Sequence, residues 1–329
     1  MMVPILYTFD RPFMRKTYEA IDRHVDVESA FLALGPEAEG CSDALREVER
    51  EPGESIDAAV ERVDPAVVVR NHTLDPGGFA FDGERTVVHV RHGASVGRGE
   101  VGTTLGRLRD VVDVALAPGE RWGERYREGF PDGVTVAVVG VPEADALVEA
   151  DPPREGRVLY APTNHNYGGG SYLHTAEHVL DTFADTEYEL LFRPHPMDRR
   201  EEPGKSVTER CRERIASLPN VTFDEGGTPG ESLLSADVLV SDYSGIVTEW
   251  LHTDRPLIQL TALDADDREV PPAGYRTDRL DLETVDDLYA HGPPEAVRER
   301  RAAFRADLGI PMDGRAGERA ATEVLACTR

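Results

Sequence analysis

Short apolar runs alternate with polar, helix-patterned stretches along the whole chain. Val3 to Phe9 reads as a first strand, and Pro12 to His24, opened by Asp10, reads as a helix. Glu28 to Leu34, Pro65 to Arg70, Thr86 to Arg91, Val111 to Ala117 and Val134 to Val139 continue the strands. Ser55 to Val63 and Arg121 to Glu128 supply helices between them. Runs rich in valine and leucine without in–out alternation suit strands buried on both faces of a parallel sheet. Strand and helix in turn imply helices covering that sheet on both sides.

A polar segment at Glu149 to Gly156, carrying Asp151-Pro152-Pro153-Arg154-Glu155, is the best candidate for a linker. Beyond it the alternation restarts with a strand at Arg157 to Ala161, a glycine-rich loop at Asn164 to Ser171 and a helix to about Asp185. The strand Tyr188 to Phe192, a helix near Ser206 to Ser217 and the strand Val221 to Phe223 follow. Ala236 to Leu260 then forms a complete strand–turn–helix–strand unit. Helices at Val285 to His291, Glu295 to Asp307 and Gly314 to Cys327 close the chain. The expectation is an α/β protein of two Rossmann-like, doubly wound domains, 1–150 and 151–329, facing each other across a cleft. Its last helix is expected to return to the first domain.

Charge changes the picture next. The chain holds 62 acidic residues against 36 basic ones, a net charge of −26, and Lys16 and Lys205 are its only lysines. The carboxylates are scattered, which suits a halophilic protein in a cytoplasm of high salt, where repulsion is screened. No basic stripe with interleaved aromatics is present, which argues against a nucleic-acid partner. Cys41, Cys211 and Cys327 are odd in number and far apart, which argues against a disulfide framework and a zinc knuckle. No apolar run approaches the length of a membrane span, and the N-terminus reads as a strand, not a signal peptide. The expected location is the cytoplasm, with at most transient contact at the inner membrane face.

Candidate chemistry gathers at strand ends. Ser241-Asp242-Tyr243-Ser244-Gly245 hands a buried strand over to a helix, where free N–H groups favour an anion and Gly245 gives a phosphate room. Glu249 lies one turn further on, within reach of a ribose hydroxyl. The same turn also fits a plain helix start capped by Ser244. His92, before Gly93, and His195, in Arg193-Pro194-His195-Pro196, each follow a strand, one in each expected domain. An imidazole accepts or donates a proton near neutral pH. His174 and His178 flank Glu177, but not in the metalloprotease order, and Asp264-Ala265-Asp266-Asp267 fits a cation clamp or a solvated acidic loop. A divalent cation is not indicated, and no residue is assigned to a metal.

In order along the chain, these stretches resemble the glycerophosphotransferase family that uses CDP-glycerol to prime or polymerise teichoic acid. The resemblance rests on His92-Gly93, on Gly140 to Leu147, on Leu159-Tyr160-Ala161-Pro162-Thr163 and on Arg193 to Pro196. It continues through Ser241 to Gly245, Glu249, Pro256-Leu257-Ile258 and Asp313 to Ala316. It implies a GT-B fold, His92 and His195 as the catalytic pair, and a CDP-glycerol donor. Donor contacts are implied from Gly93, Thr163, Arg193, Ser241, Asp242, Ser244, Gly245 and Glu249. The chain departs from the family at Glu143, where an arginine is usual, at Gly245 in place of serine, and at Asn164-His165 in place of an aromatic and an arginine.

The expected activity is transfer of a polyol phosphate, most readily glycerol phosphate from CDP-glycerol, to a hydroxyl acceptor such as a lipid-linked glycan. No other cofactor is implied. The alternatives are an isomerase resembling the UDP-N-acetylglucosamine 2-epimerases, another GT-B nucleotide-sugar transferase, and a nucleotide-binding subunit without catalysis.

Overall fold

The computed structural model describes residues 3–35, 46–70, 85–91, 105, 108, 111–151, 154–166, 169–226, 228–263 and 270–328. Its contacts divide into two compact units. One takes the described residues of 1–94, 100–145 and 308–329, and the other takes those of 146–307.

The first unit holds six parallel strands: β1 (Ile5–Phe9), β2 (Ser29–Ala33), β3 (Val67–Arg70), β4 (Thr86–Val90), β5 (Val114–Ala117) and β6 (Thr135–Val138). Their order across the sheet is β2-β1-β3-β4-β5-β6. The apolar runs behave as their composition dictates: β1, β2 and β3 are buried along their whole length. The helix Arg15–Asp22 packs on one face, where Tyr18 Oη donates to Thr8 O at 2.7 Å.

The final helix, Ala316–Ala326, belongs to this unit and packs beside Arg15–Asp22. Its start is held by Asp145, whose carboxylate accepts from Ala316 N at 2.9 Å and Gly317 N at 2.7 Å. That carboxylate also complements the partial positive charge of the helix N-terminus. Gly140 has φ of +103°, and a Cβ there would come within 2.7 Å of Ala316 Cβ. Two sequence stretches more than 160 residues apart, Gly140–Leu147 and Asp313–Ala316, therefore form one joint.

The second unit repeats the plan with β7 (Arg157–Tyr160), β8 (Glu189–Phe192), β9 (Val221–Phe223), β10 (Val238–Ser241), β11 (Leu257–Leu260) and β12 (Tyr275–Thr277). The order is β12-β11-β10-β7-β8-β9, again all parallel. One core face gathers Tyr160, Tyr172, Phe183, Phe192, Val240 and Ile258, among others, beneath the helices Tyr172–Phe183 and Gly204–Ile215. Cys211 is buried there, and desolvation pushes its thiol up to about 12, so it behaves as an apolar side chain. From β7 the chain winds outward through β8 to β9, then returns to lay β10 on the other side of β7. The carboxyl ends of β7 and β10 thus mark the switch point, where open α/β sheets bind ligands. Sequence reading anticipates every strand except β12, and misses the helix Gly230–Ser235.

Candidate functional site

Three chain segments meet at the switch point of the second unit: residues 161–166 and 169–171 after β7, residues 193–198 after β8, and residues 241–249 after β10. Asp242 ties the first to the third. It is fully buried, and its carboxylate accepts from Thr163 N at 3.0 Å, Thr163 Oγ1 at 2.7 Å, Ser171 N at 3.0 Å, Ser171 Oγ at 2.9 Å and Ser244 N at 3.0 Å. Five donors on one carboxylate compensate for its removal from water, which a buried charge otherwise could not bear. Ser241 Oγ donates to Ala161 O at 2.7 Å, a second tie between the same strand ends. Below them, Gln259 Nε2 donates to Asp242 O at 2.9 Å, while Gln259 Oε1 accepts from Ala273 N and Gly274 N. The loop after β7 is folded so tightly that a Cβ at Gly170 would lie 2.3 Å from Thr163 O.

The side chains of Thr163, Ser241 and Asp242 therefore face inward and build the frame of the turn. Arg193 does the same one strand over. It is 7 % exposed, its Nη2 donates to Gly226 O at 2.7 Å, and its Nη1 lies 2.8 Å from Asp224 Oδ2. Burial alone would raise the Asp224 carboxyl, but Ser232, Arg193 and Gly226 N outweigh it and hold it below its usual value.

What the frame presents is the start of the helix Gly245–Trp250. Ser244 occupies the N-cap position in extended geometry, with φ −56° and ψ 151°, but its hydroxyl makes no capping bond. The plain-cap reading is corrected on this point: Asp242 orients Ser244 through its backbone N–H instead. Gly245 has an ordinary φ, and a Cβ placed there meets nothing within 4 Å, so the space in front of it is open. The first N–H groups of a helix have no carbonyl partner within it and suit a phosphate oxygen. Glu249, on the same helix, is 2 % exposed. At the far end of this helix Arg301, 5 % exposed, donates to Trp250 O, Thr253 O and Arg255 O, and burial pulls its guanidinium down to about 9.

His195 follows β8 and stands beside the loop after β7. Its Nδ1 lies 3.2 Å from Met197 N and 3.3 Å from Asn164 Nδ2. Asn164 is fully buried, and its Oδ1 accepts from Asn166 N at 2.8 Å. His165 is engaged at both ring nitrogens, Nδ1 against Asp198 Oδ1 and Nε2 against Glu202 O at 3.1 Å. Burial pushes the Asp198 carboxyl up, and the hydrogen bonds from His165 offset part of that rise. His165 thus pins its loop to the segment 198–202. Asn164, Ser171, Asp198 and Gln259 carry no sequence signal of their own, although Asn164 and His165 stand where the family's usual residues are replaced.

β4 leads to Arg91, whose guanidinium lies 4.0 Å from the centre of the Trp122 ring. His92 and Gly93, the next residues, lie outside the described residues, as do Cys41 and Asp264 to Asp267. Of the second histidine pair, His178 Nε2 contacts Leu280 O at 2.7 Å and Glu177 pairs with Arg210. Among the described residues no group of three or more His, Cys, Asp or Glu side chains is placed to hold a metal ion. Nor is any described helix long and apolar enough to cross a membrane.

No curated protein sequence matches the chain. Solved structures match its fold. The wall teichoic acid polymerase TagF aligns with a TM-score of 0.71 at 15% identity, over 99% of this chain and 90% of that one. A histidine variant of TagF soaked with CDPG gives 0.70 at 14% identity, over 99% and 89%. A UDP complex of MnaA from S. aureus gives 0.61 at 14% identity, over 99% and 96%. These likenesses, with the two six-stranded parallel sheets, establish a GT-B fold. The model of the CDP-glycerol:poly(glycerophosphate) glycerophosphotransferase family matches residues 47–281, most of the chain, and covers the frame around Asp242 entirely. The chain belongs to that family and is a polyol-phosphate transferase.

Proposed function

We propose that the protein transfers glycerol phosphate from CDP-glycerol to a hydroxyl of a surface polymer or lipid-linked glycan. The observation that carries this reading is the family match across 47–281, combined with an open helix start at the switch point. In this reading residues 151–329 take the donor and residues 1–150 take the acceptor. The diphosphate lies against the N–H groups at Ser244 and Gly245, and Glu249 meets the ribose. His195 supports the charge on the phosphates.

The acceptor oxygen attacks the phosphorus that bears glycerol, and its proton passes to His92. The P–O bond to the cytidylyl phosphate breaks, and CMP leaves with that oxygen and its electron pair. Such chemistry rests on positioning and on fixed dipoles, which need no covalent intermediate. The protein works in a salt-rich cytoplasm, with at most transient contact at the inner membrane face.

The test is a donor panel in high salt: CDP-glycerol, UDP-N-acetylglucosamine and GDP-sugars, each with a short polyol-phosphate primer. Consumption of CDP-glycerol with release of CMP is the expected outcome. Conversion of the UDP-sugar alone would move the protein to the isomerase reading.

A further inference from the structure

The hydrogen bonds around His195 fix more than its place. Met197 N is a backbone donor and has no lone pair to offer, so Nδ1 of His195 receives that hydrogen bond. Asn164 Nδ2 also only donates, and the amide is held in that sense because its Oδ1 already accepts from Asn166 N at 2.8 Å. Two donors therefore converge on one imidazole nitrogen. A neutral ring whose Nδ1 is an acceptor carries its proton on Nε2.

We propose that Asn164 is a positioning residue that, with Met197 N–H, holds His195 as the Nε2–H tautomer, so that the ring meets the donor phosphates as a hydrogen-bond donor. This rests on the reading that His195 faces those phosphates. The consequence is a division of labour. A ring in this state has its proton where a phosphate oxygen would lie, and it has no lone pair there to take a proton from an acceptor hydroxyl. The base must be another group, which is the part given to His92. The favourable interaction with the phosphates comes from a fixed N–H, without proton transfer from His195. Asn164 stands where relatives are expected to carry an aromatic residue, so in this chain the loop after β7 supplies an amide donor that an aromatic ring could not.

The experiment uses the full chain labelled with 15N-histidine and reads two-bond proton–nitrogen correlations, which separate the two neutral tautomers. The chain has ten histidines, so His195 is assigned by the signal lost in His195→Gln. The wild-type ring is expected to show the Nε2–H pattern with no substrate present. In Asn164→Asp a carboxylate replaces the donor and must accept, so the ring proton should move to Nδ1. Turnover should then fall by about tenfold or more, and nucleotide binding should weaken as in His195→Ala, because Nε2 then turns a lone pair toward the phosphates. Asn164→Ala, which keeps only the Met197 donor, should give a mixed pattern and serves if the aspartate variant fails to fold.

A wild-type ring protonated on Nδ1 would overturn the proposal. So would an unchanged Nε2–H pattern in both variants, because Asn164 would then not set it. If the wild type shows the expected tautomer but does not consume CDP-glycerol, it is the proposed function that fails.

Discussion

Asp242 carries the largest structural burden of any single residue at the site. Its carboxylate has no exposure and gathers five donors from Thr163, Ser171 and Ser244. Asp242→Ala would leave those donors buried and unmatched. Each such loss costs on the order of 1–3 kcal/mol, and neighbours relax into part of the gap, so we expect a net loss of at least about 3 kcal/mol. Denaturant unfolding in high salt measures it. Glu249→Ala is expected to act differently, weakening CMP or CDP binding by about 1–3 kcal/mol, as for a hydrogen bond to a charged group. Calorimetry showing unchanged affinity would place the ribose contact elsewhere. In the sequence, the residue types at 241–245 announce a turn that suits a phosphate. They do not announce that Thr163 and Asp242 spend their side chains on each other, and Ser241 its hydroxyl on Ala161 O. That fact depends on partners about 80 positions away, which only the parallel pairing of β7 with β10 brings together.

At the scale of elements, Arg193 and Asp224 join the end of β8 to the turn after β9. The Asp224 carboxyl is held below its usual value in the fold, so its contribution is present above the ordinary carboxylate range. It is lost as pH falls through the depressed value. Arg193→Gln removes one of the groups that offset burial, so acid unfolding should begin at a higher pH than in the wild type. A circular-dichroism titration of both proteins checks this, and coincident acid transitions would contradict it.

The strands were legible because unbroken apolar runs have few other destinations in a chain of this composition. Tyr275–Thr277 was not, because it is three residues long, lies at the sheet edge and is only half-buried. The helix Gly230–Ser235 is likewise too short for its period to register. The joint between Asp145 and the final helix was visible only as two separate motif stretches. Nothing in either one names the other as its partner.

For the whole molecule, the excess of 62 acidic over 36 basic residues is the dominant fact. Among the described residues most ion pairs lie at the surface, such as Arg210–Glu177 and Arg315–Glu318, and isolated surface pairs contribute little. Self-repulsion should therefore govern the stability of the protein at low ionic strength. Raising salt from about 0.1 M to about 1 M shortens the screening length from ~10 Å to ~3 Å. We expect the unfolding temperature to rise by roughly 10 °C, equivalent to about 3 kcal/mol for domains of this size. Calorimetry across a potassium chloride series checks it, and a flat response would remove the argument for salt adaptation.

The central claim, transfer of glycerol phosphate from CDP-glycerol with His92 and His195 in separate roles, is tested most directly by 31P NMR of the reaction in high salt. With a hydroxyl-bearing primer, the diphosphate resonances of CDP-glycerol should be replaced by those of CMP and a new phosphodiester. His92→Ala should slow this by roughly two to four decades with donor binding nearly intact, and His195→Ala should weaken both turnover and binding. Primer-dependent product formation at near-normal rate in either variant, or an unchanged CDP-glycerol spectrum in the wild type, would contradict the account.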